Sequence, residues 1–376
     1  MMKEEVKILQ GNEAVVEAAI AAGCRFFAGY PITPASEIAE QMALKLPLND
    51  GIYMQMEDEI GSIMGVVGAT WGGMKACTAT SGPGFSLMQE GIGFAAMTET
   101  PCVIINVMRG GPATGQPTLG SQQDVMQAKY GAHGDYEVIA LCPSSVQEAY
   151  DLTIKAFNLA ETYRVPVIVL SDEIVGHTRE KIRISADVEV VERRKPQAAP
   201  GAYKPYEPLA SGLLDGMPAF GDGYKLLVDG QCHDETGNRA GNDPAVSGAL
   251  VKRLCEKITG HAAELKDVEE AFLDDAESVV VAYGSVSRSA LDAVKKARAQ
   301  GLKAGFIGMR VLWPFPDQAV TAAIKKATRV IVPEINVGKI CREVERLTAD
   351  GQEVVSLPKM GCVLHRPDEI IAALKG

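Results

Sequence analysis

The sequence predicts an α/β fold: a doubly wound parallel sheet followed by a smaller α/β domain. Three observations carry this. Continuous apolar segments alternate with helical ones from residue 12 to about 180; the pattern lapses between about 182 and 270, in a stretch rich in Pro and Gly; and it resumes after about 276. Uninterrupted apolar strands belong to a sheet covered on both faces, and their alternation with helices makes that sheet parallel.

Taken in order, residues 12–22 (NEAVVEAAIAA) read as a helix ending at Gly23, CRFFAGY as a short strand, and 36–46 as a helix capped by Ser36. GIYMQM is a strand before a helix from about Asp58 to Thr70, and KACTAT is a strand running into the turn SGPG, with a helix over 85–97. CVIINVM and VIALCP are strands, 144–163 is a long helix, and VPVIVLSD closes the series. A single domain rarely holds a loop as long as 182–270, so that stretch is expected to be a structured connector between domains 1–181 and 271–376. In the second domain SVVVAYGS, KAGFIGM, RVIVPEI and EVVSLP are strands; helices are expected at 286–299, near 317–326, at 338–348 and at 367–375.

The chain has 376 residues and a formal net charge of −11. It therefore lacks the basic footprint of nucleic-acid or anionic-membrane binding. No apolar run is long enough to span a bilayer, and MMKEEVKILQGNEAVVEAAI has neither the apolar core nor the cleavage site of a signal peptide, so a cytoplasmic protein is expected. The eight cysteines form no C-x-x-C pair. They are expected to be buried free thiols, with no metal or cluster held by this chain.

In open α/β sheets, ligands bind beyond the carboxyl ends of the strands. The polar residues there are Thr33 after CRFFAGY, Glu57, Asp58 and Glu59 after GIYMQM, Thr80 and Ser81 after KACTAT, and Arg109 after CVIINVM. Pro31 and Pro34 restrict themselves and the residues before them, so the backbone at Thr33 is held. Arg109 is the only basic residue between Lys75 and Lys129. Its guanidinium fork matches a carboxylate, although position alone equally allows a solvent-facing arginine. The three acids suit a helix N-terminus, where the dipole favours them. Glu59 differs in preceding the small-residue run EIGSIMGVVGA, which lets another backbone or a flat ring approach. SGPG opening a helix can cradle an anion. His133 and His233 lie in polar, Gly-bearing loops, either as structural residues or within reach of a site.

GYPITPASEI, MEDEIGSIMGVVGA, TATSGPGFSLMQE, MRGGPATGQPT and HGDY, in that order, resemble the alpha subunits of 2-oxoacid:ferredoxin oxidoreductases, most closely the 2-oxoglutarate type. LWPFP and VPEINVGK resemble the same subunit's transketolase-C-terminal-like domain. The resemblance implies a pyrimidine-type thiamine-diphosphate-binding fold for 1–181. It also implies an enzyme that oxidatively decarboxylates 2-oxoglutarate, or runs in reverse, passing electrons to ferredoxin and the acyl group to coenzyme A. By position, Thr33 would touch substrate and cofactor, with Tyr30, Pro31 and Ser81 beside it. Glu59 would hydrogen-bond the aminopyrimidine ring, and Arg109 would hold the substrate carboxylate, with Gly110 and Thr114 on its loop. A carboxylate at the ring delegates acid–base work to the cofactor, while arginine and hydroxyl preorganise the oxoacid. The second carboxylate of 2-oxoglutarate needs its own cation or donors; Lys129, His133, Thr114 and Thr118 are the candidates near in sequence.

The chain departs from a complete enzyme. Gly-Asp-Gly at 221–223 is followed too early by the unpaired Asn238 and Asn242 to be a diphosphate–metal motif. The family places that motif, its Mg2+ and the iron–sulfur clusters on partner subunits. The resemblance thus implies thiamine diphosphate shared with a beta subunit, with gamma and ferredoxin-like delta subunits alongside, and an alpha subunit inactive alone. The alternatives are the same mechanism on branched-chain or aryl 2-oxoacids, a stand-alone transketolase-like or decarboxylating enzyme, and a non-catalytic scaffold.

Overall fold

The computed structural model describes residues 5–185 and 187–376. Its larger sheet has eight strands. Six are mutually parallel, in the spatial order Ile139–Leu141, Pro166–Asp172, Cys102–Gly110, Lys75–Thr80, Cys24–Gly29, Ile52–Gln55. The three strands Lys75–Thr80, Cys102–Gly110 and Pro166–Asp172 are buried at every residue, as a sheet covered on both faces requires. Successive side chains enter opposite layers: Ala76 and Ile104 join one core, Cys77, Val103 and Ile105 the other. From Cys24–Gly29 the chain steps outward to Ile52–Gln55, then crosses back to Lys75–Thr80 and continues the other way. The reversal of strand order opens a crevice at these carboxyl ends.

Two further strands complete this sheet, and the sequence reading contained neither. Gln116–Gly120 folds back antiparallel on Cys102–Gly110. Val311–Trp313, part of the expected LWPFP corner, returns from the second half of the chain and pairs antiparallel with Ile139–Leu141. Trp313 Nε1 then donates to Val125 O at 2.8 Å and Cys142 N to Arg310 O at 2.7 Å. The second sheet has five strands in the order Val268–Ala271, Ala304–Met309, Ser278–Tyr283, Arg329–Glu334, Glu353–Pro358, parallel except for the first. One core runs unbroken from Phe26 and Ile104 to Val281 and Ile307 of this sheet. A two-stranded sheet pairs Glu5–Gln10 with Arg179–Ile184.

The helices expected at 286–299 and 367–375 form as Val286–Ala299 and Pro367–Lys375. Others are corrected. Ser36 is the first residue of its helix, with Ala35 at the cap and no side-chain capping bond. The helix expected over 85–97 divides into Gly82–Leu87 and Gln89–Met97, and the one at 338–348 shortens to Cys341–Glu345. The connector is not irregular throughout. It holds the helix Pro244–Thr259, whose cap Asp243 accepts from the N–H groups of Ala245 and Val246. That helix is anchored by the buried Glu99, which takes two bonds from Arg253, at 2.8 and 2.5 Å, and one from Lys257 at 2.7 Å.

Candidate active site

Three strand ends and one helix start meet in the crevice. Arg109 lies near the end of Cys102–Gly110 and is 6% exposed, so it is not solvent-facing. Its Nη1 donates to the Thr33 carbonyl at 2.6 Å, and its own carbonyl accepts from the Ser121 hydroxyl at 2.6 Å. The tie therefore uses the Thr33 backbone and not its hydroxyl. Arg109 Nε is buried without a partner. Burial pushes the guanidinium pKa down from its ordinary value, with the Asp124 and Glu59 carboxylates opposing.

Of the three adjacent acids, Glu57 is exposed and Asp58 is spent as a helix cap, its Oδ1 accepting from Gly61 N at 2.8 Å. Glu59 opens the helix Glu59–Trp71 and is 5% exposed. Burial raises its carboxyl pKa, Asp58 adds to the rise, and Arg109 works against it. The SGPG turn lies directly against this carboxyl: a Cβ on Gly84 would sit 2.1 Å from Glu59 Oε1 and 2.2 Å from Thr80 Oγ1. Beside it the hydroxyls of Thr80 and Ser81 are buried and unpartnered. Buried polar groups normally find partners, so these hydroxyls and Arg109 Nε retain bonding capacity for a polar ligand in the crevice.

The Gly-Tyr-Pro corner faces outward: Tyr30 is 43% exposed, and Pro31 and Thr33 are exposed too. After Gly110 the chain makes an exposed hairpin loop that carries Thr114. Gly115 closes it with φ 53°, and any Cβ there would lie 1.9 Å from Gly110 O, so only glycine fits.

Arg109, Gly110 and the start of this loop line a cavity of about 650 Å³, together with Asp124 and, from the second domain, Asn336 and Lys339. Asp124 accepts from Asn106 Nδ2 at 3.0 Å; burial raises its pKa, against the pull of Asn106, Lys339 and Arg109. Sequence reasoning missed Asn336 and Lys339. The run VPEINVGK was visible, but nothing in it places the residues beside an arginine more than two hundred positions earlier.

Two nearer candidates fall elsewhere. Lys129 is paired with Glu137 and lies over the Trp313 ring, 5.4 Å from its centroid, in a separate cavity of about 530 Å³. His133 is exposed and lines neither cavity. His233 packs on Tyr206 within the connector, the ring centroids 4.0 Å apart.

A family model described as pyruvate flavodoxin/ferredoxin oxidoreductase, thiamine diphosphate-binding, matches residues 17–252, and pyruvate:ferredoxin oxidoreductase core domain II matches residues 276–370. The chain is 54% identical over 375 residues to the 2-oxoglutarate synthase subunit KorA of Methanothermobacter marburgensis, covering 100% of both. It is 36% identical over 365 residues to the ketoisovalerate oxidoreductase subunit VorB of Methanothermobacter thermautotrophicus, covering 93% of this chain and 95% of that one. Among solved structures it resembles the 2-oxoglutarate:ferredoxin oxidoreductase from Magnetococcus marinus with 2-oxoglutarate, coenzyme A and succinyl-CoA bound. The TM-score is 0.93 at 34% identity, over 99% of this chain, which spans 65% of that chain's length.

Proposed function

This chain belongs to the pyruvate flavodoxin/ferredoxin oxidoreductase family, and from that premise we propose that it is the alpha subunit of a thiamine-diphosphate-dependent 2-oxoglutarate:ferredoxin oxidoreductase. The reaction is 2-oxoglutarate, coenzyme A and oxidised ferredoxin to succinyl-CoA, carbon dioxide and reduced ferredoxin, or its reverse. Identity of 54% to a 2-oxoglutarate synthase subunit, against 36% to a ketoisovalerate one, supports the substrate over branched-chain oxoacids.

The observation that carries the catalytic reading is the Glu59 carboxyl, buried with a raised pKa beside Arg109 and the unpartnered hydroxyls of Thr80 and Ser81. This set fits the pyrimidine end of thiamine diphosphate. When bound, that group supplies the carbon nucleophile and the electron sink that decarboxylation needs. Glu59 would hold or accept a proton at its carboxyl oxygen, and Ser81, Tyr30 and Pro31 would help to hold the cofactor. Arg109 binds the oxoacid carboxylate through Nε and its remaining N–H groups, while Thr33, Gly110 and Thr114 orient the rest. The bond from Arg109 to the Thr33 carbonyl supports this reading, because it holds the guanidinium before any substrate arrives and limits reorganisation.

The diphosphate, its Mg2+ and the iron–sulfur clusters belong to partners in this reading: a beta subunit across the cofactor, then gamma and ferredoxin-like delta subunits. The exposed Tyr30, Ile60, Met64 and Leu87 around the crevice support a partner surface there. No helix among the described residues is long and apolar enough to cross a membrane, and the proposed site of action is the cytoplasm. We further propose the division into 1–181, a connector 182–270 and 271–376, with Val311–Trp313 of the last part lent to the first sheet and Val268–Ala271, at the connector's end, added to the second. The test is anaerobic co-expression with the neighbouring beta subunit, then coenzyme-A-dependent viologen reduction on a panel of 2-oxoacids. Preference for 2-oxoglutarate is expected. A cluster-loaded complex inert towards every oxoacid would put the scaffold role in its place.

A further inference from the structure

The second domain closes one wall of the Arg109 cavity with a turn built around Glu334. That buried carboxylate takes bonds from Tyr283 Oη at 2.7 Å, Asn336 Nδ2 at 3.1 Å, Ile340 N at 2.9 Å and Cys341 N at 3.0 Å. The turn is then fixed to the first domain. Ile335 N donates to Gln122 Oε1 at 3.0 Å, Asn336 Nδ2 to Gln122 O at 2.8 Å, and Lys339 Nζ to Gln123 O at 2.6 Å. Lys339 thus reaches the cavity from a backbone with little freedom, and only one of its three N–H groups is spent.

A dicarboxylic 2-oxoacid brings a second anion that Arg109 cannot also serve. Burying it without a cation or several donors is costly. Among the described residues that line this cavity, Arg109 and Lys339 are the only cations, one on each domain's wall. Asp124 sits within electrostatic reach of both, so Lys339 is not stranded as an unpaired charge when no second carboxylate is present. We propose that Lys339 selects dicarboxylic 2-oxoacids by binding the carboxylate farther from the reacting carbon, while Arg109 binds the nearer one. This rests on the substrate reading above. A monocarboxylic oxoacid places an apolar chain against Lys339 and gains nothing from it, so the lysine acts on the difference between substrates.

The test uses the assembled complex carrying K339Q, which keeps a donor for the Gln123 carbonyl, and K339R, which keeps the charge. Steady-state kcat and KM are measured for 2-oxoglutarate and 2-oxobutyrate. K339Q should lower kcat/KM for 2-oxoglutarate roughly ten- to a hundredfold, the range of a lost hydrogen bond to a charged group, mostly through KM. It should leave 2-oxobutyrate little changed, and K339R should recover part of the loss. An unaltered ratio between the substrates, because both suffer or neither does, overturns the inference. A wild-type complex that prefers 2-oxoglutarate and keeps that preference in K339Q sinks this inference alone. A wild-type complex that turns over only 2-oxobutyrate removes the substrate reading and this inference with it.

Discussion

Gly84→Ala tests whether the Glu59 carboxyl must sit where it does. The added methyl would lie 2.1 Å from Glu59 Oε1, 2.5 Å from Glu59 Cδ and 2.2 Å from Thr80 Oγ1, far inside van der Waals contact. Gly84 lies in a helix at ordinary φ, so alanine brings no backbone strain and gains ~0.5–1 kcal/mol of helix propensity. Overpacking opposes this by ~1–3 kcal/mol, so the net destabilisation is expected to lie between about 0 and 2.5 kcal/mol. Relief comes by moving the carboxyl. To restore contact it must shift by about 1 Å, and a misplacement of that size in a catalytic group costs ~100-fold in rate. The assay is coenzyme-A-dependent viologen reduction by the co-expressed complex, beside a thermal melt of the same preparation. The expected result is kcat down by ~100-fold with a melt close to wild type. A variant with wild-type kcat, or one whose activity falls only as its folded fraction falls, would refute the role given to Glu59.

Arg109→Ala should lower kcat/KM for 2-oxoglutarate at least tenfold, since it removes a charge-assisted anchor worth ~1.5–3 kcal/mol; a scaffold subunit would lose nothing in the same assay. Glu99→Gln should destabilise the chain by ~3–5 kcal/mol in denaturant melts, because the buried Lys257 and the half-buried Arg253 would be left against a neutral amide. The same carboxylate predicts a pH response. Burial alone would raise its pKa, but Lys257, Arg253 and Arg164 hold it at about 2 against 4.5 in the unfolded chain. Its contribution, ~3 kcal/mol, is therefore complete above pH ~4.5 and lost as pH falls towards 2, and an acid titration of the melt should lose that step in the glutamine variant. The purified chain without partners should show no oxoacid-dependent viologen reduction, and activity from it would remove the shared-site reading.

The main sheet was legible because its central strands are buried throughout and largely apolar, and lie between helical segments. Arg109 and Glu59 stood out because each lies at or just beyond the carboxyl end of an apolar run, and local sequence suffices for that. What failed to show depends on pairing at a distance. Glu5–Gln10 and Arg179–Ile184 each have half their residues exposed, and Arg179–Ile184 is charged at four of six positions, so neither reads as a buried strand without the other. The connector helix was obscured because it meets the first domain partly through Arg253 and Lys257 on Glu99, where periodicity looks only for apolar residues. Lys129 is one of several candidates by nearness to Arg109 in sequence, yet its charge is taken by Glu137. Lys339 was passed over because the Glu334 turn that delivers it forms only in three dimensions.

The return of Val311–Trp313 to the first sheet bears on how the chain is made. When synthesis has passed residue 172, all six parallel strands exist, but the outer side of Ile139–Leu141 still lacks its neighbour. An unpaired edge of this kind is where foreign strands add and aggregates begin. It stays open until residue 313 has emerged, a long wait for a contact of high sequence separation. A first half made without residues 311–313 would keep that edge bare indefinitely, whereas a chain nicked in the connector after folding keeps the pairing. Limited proteolysis there should therefore give pieces that remain associated, and expression of the first half alone should give a product prone to self-association.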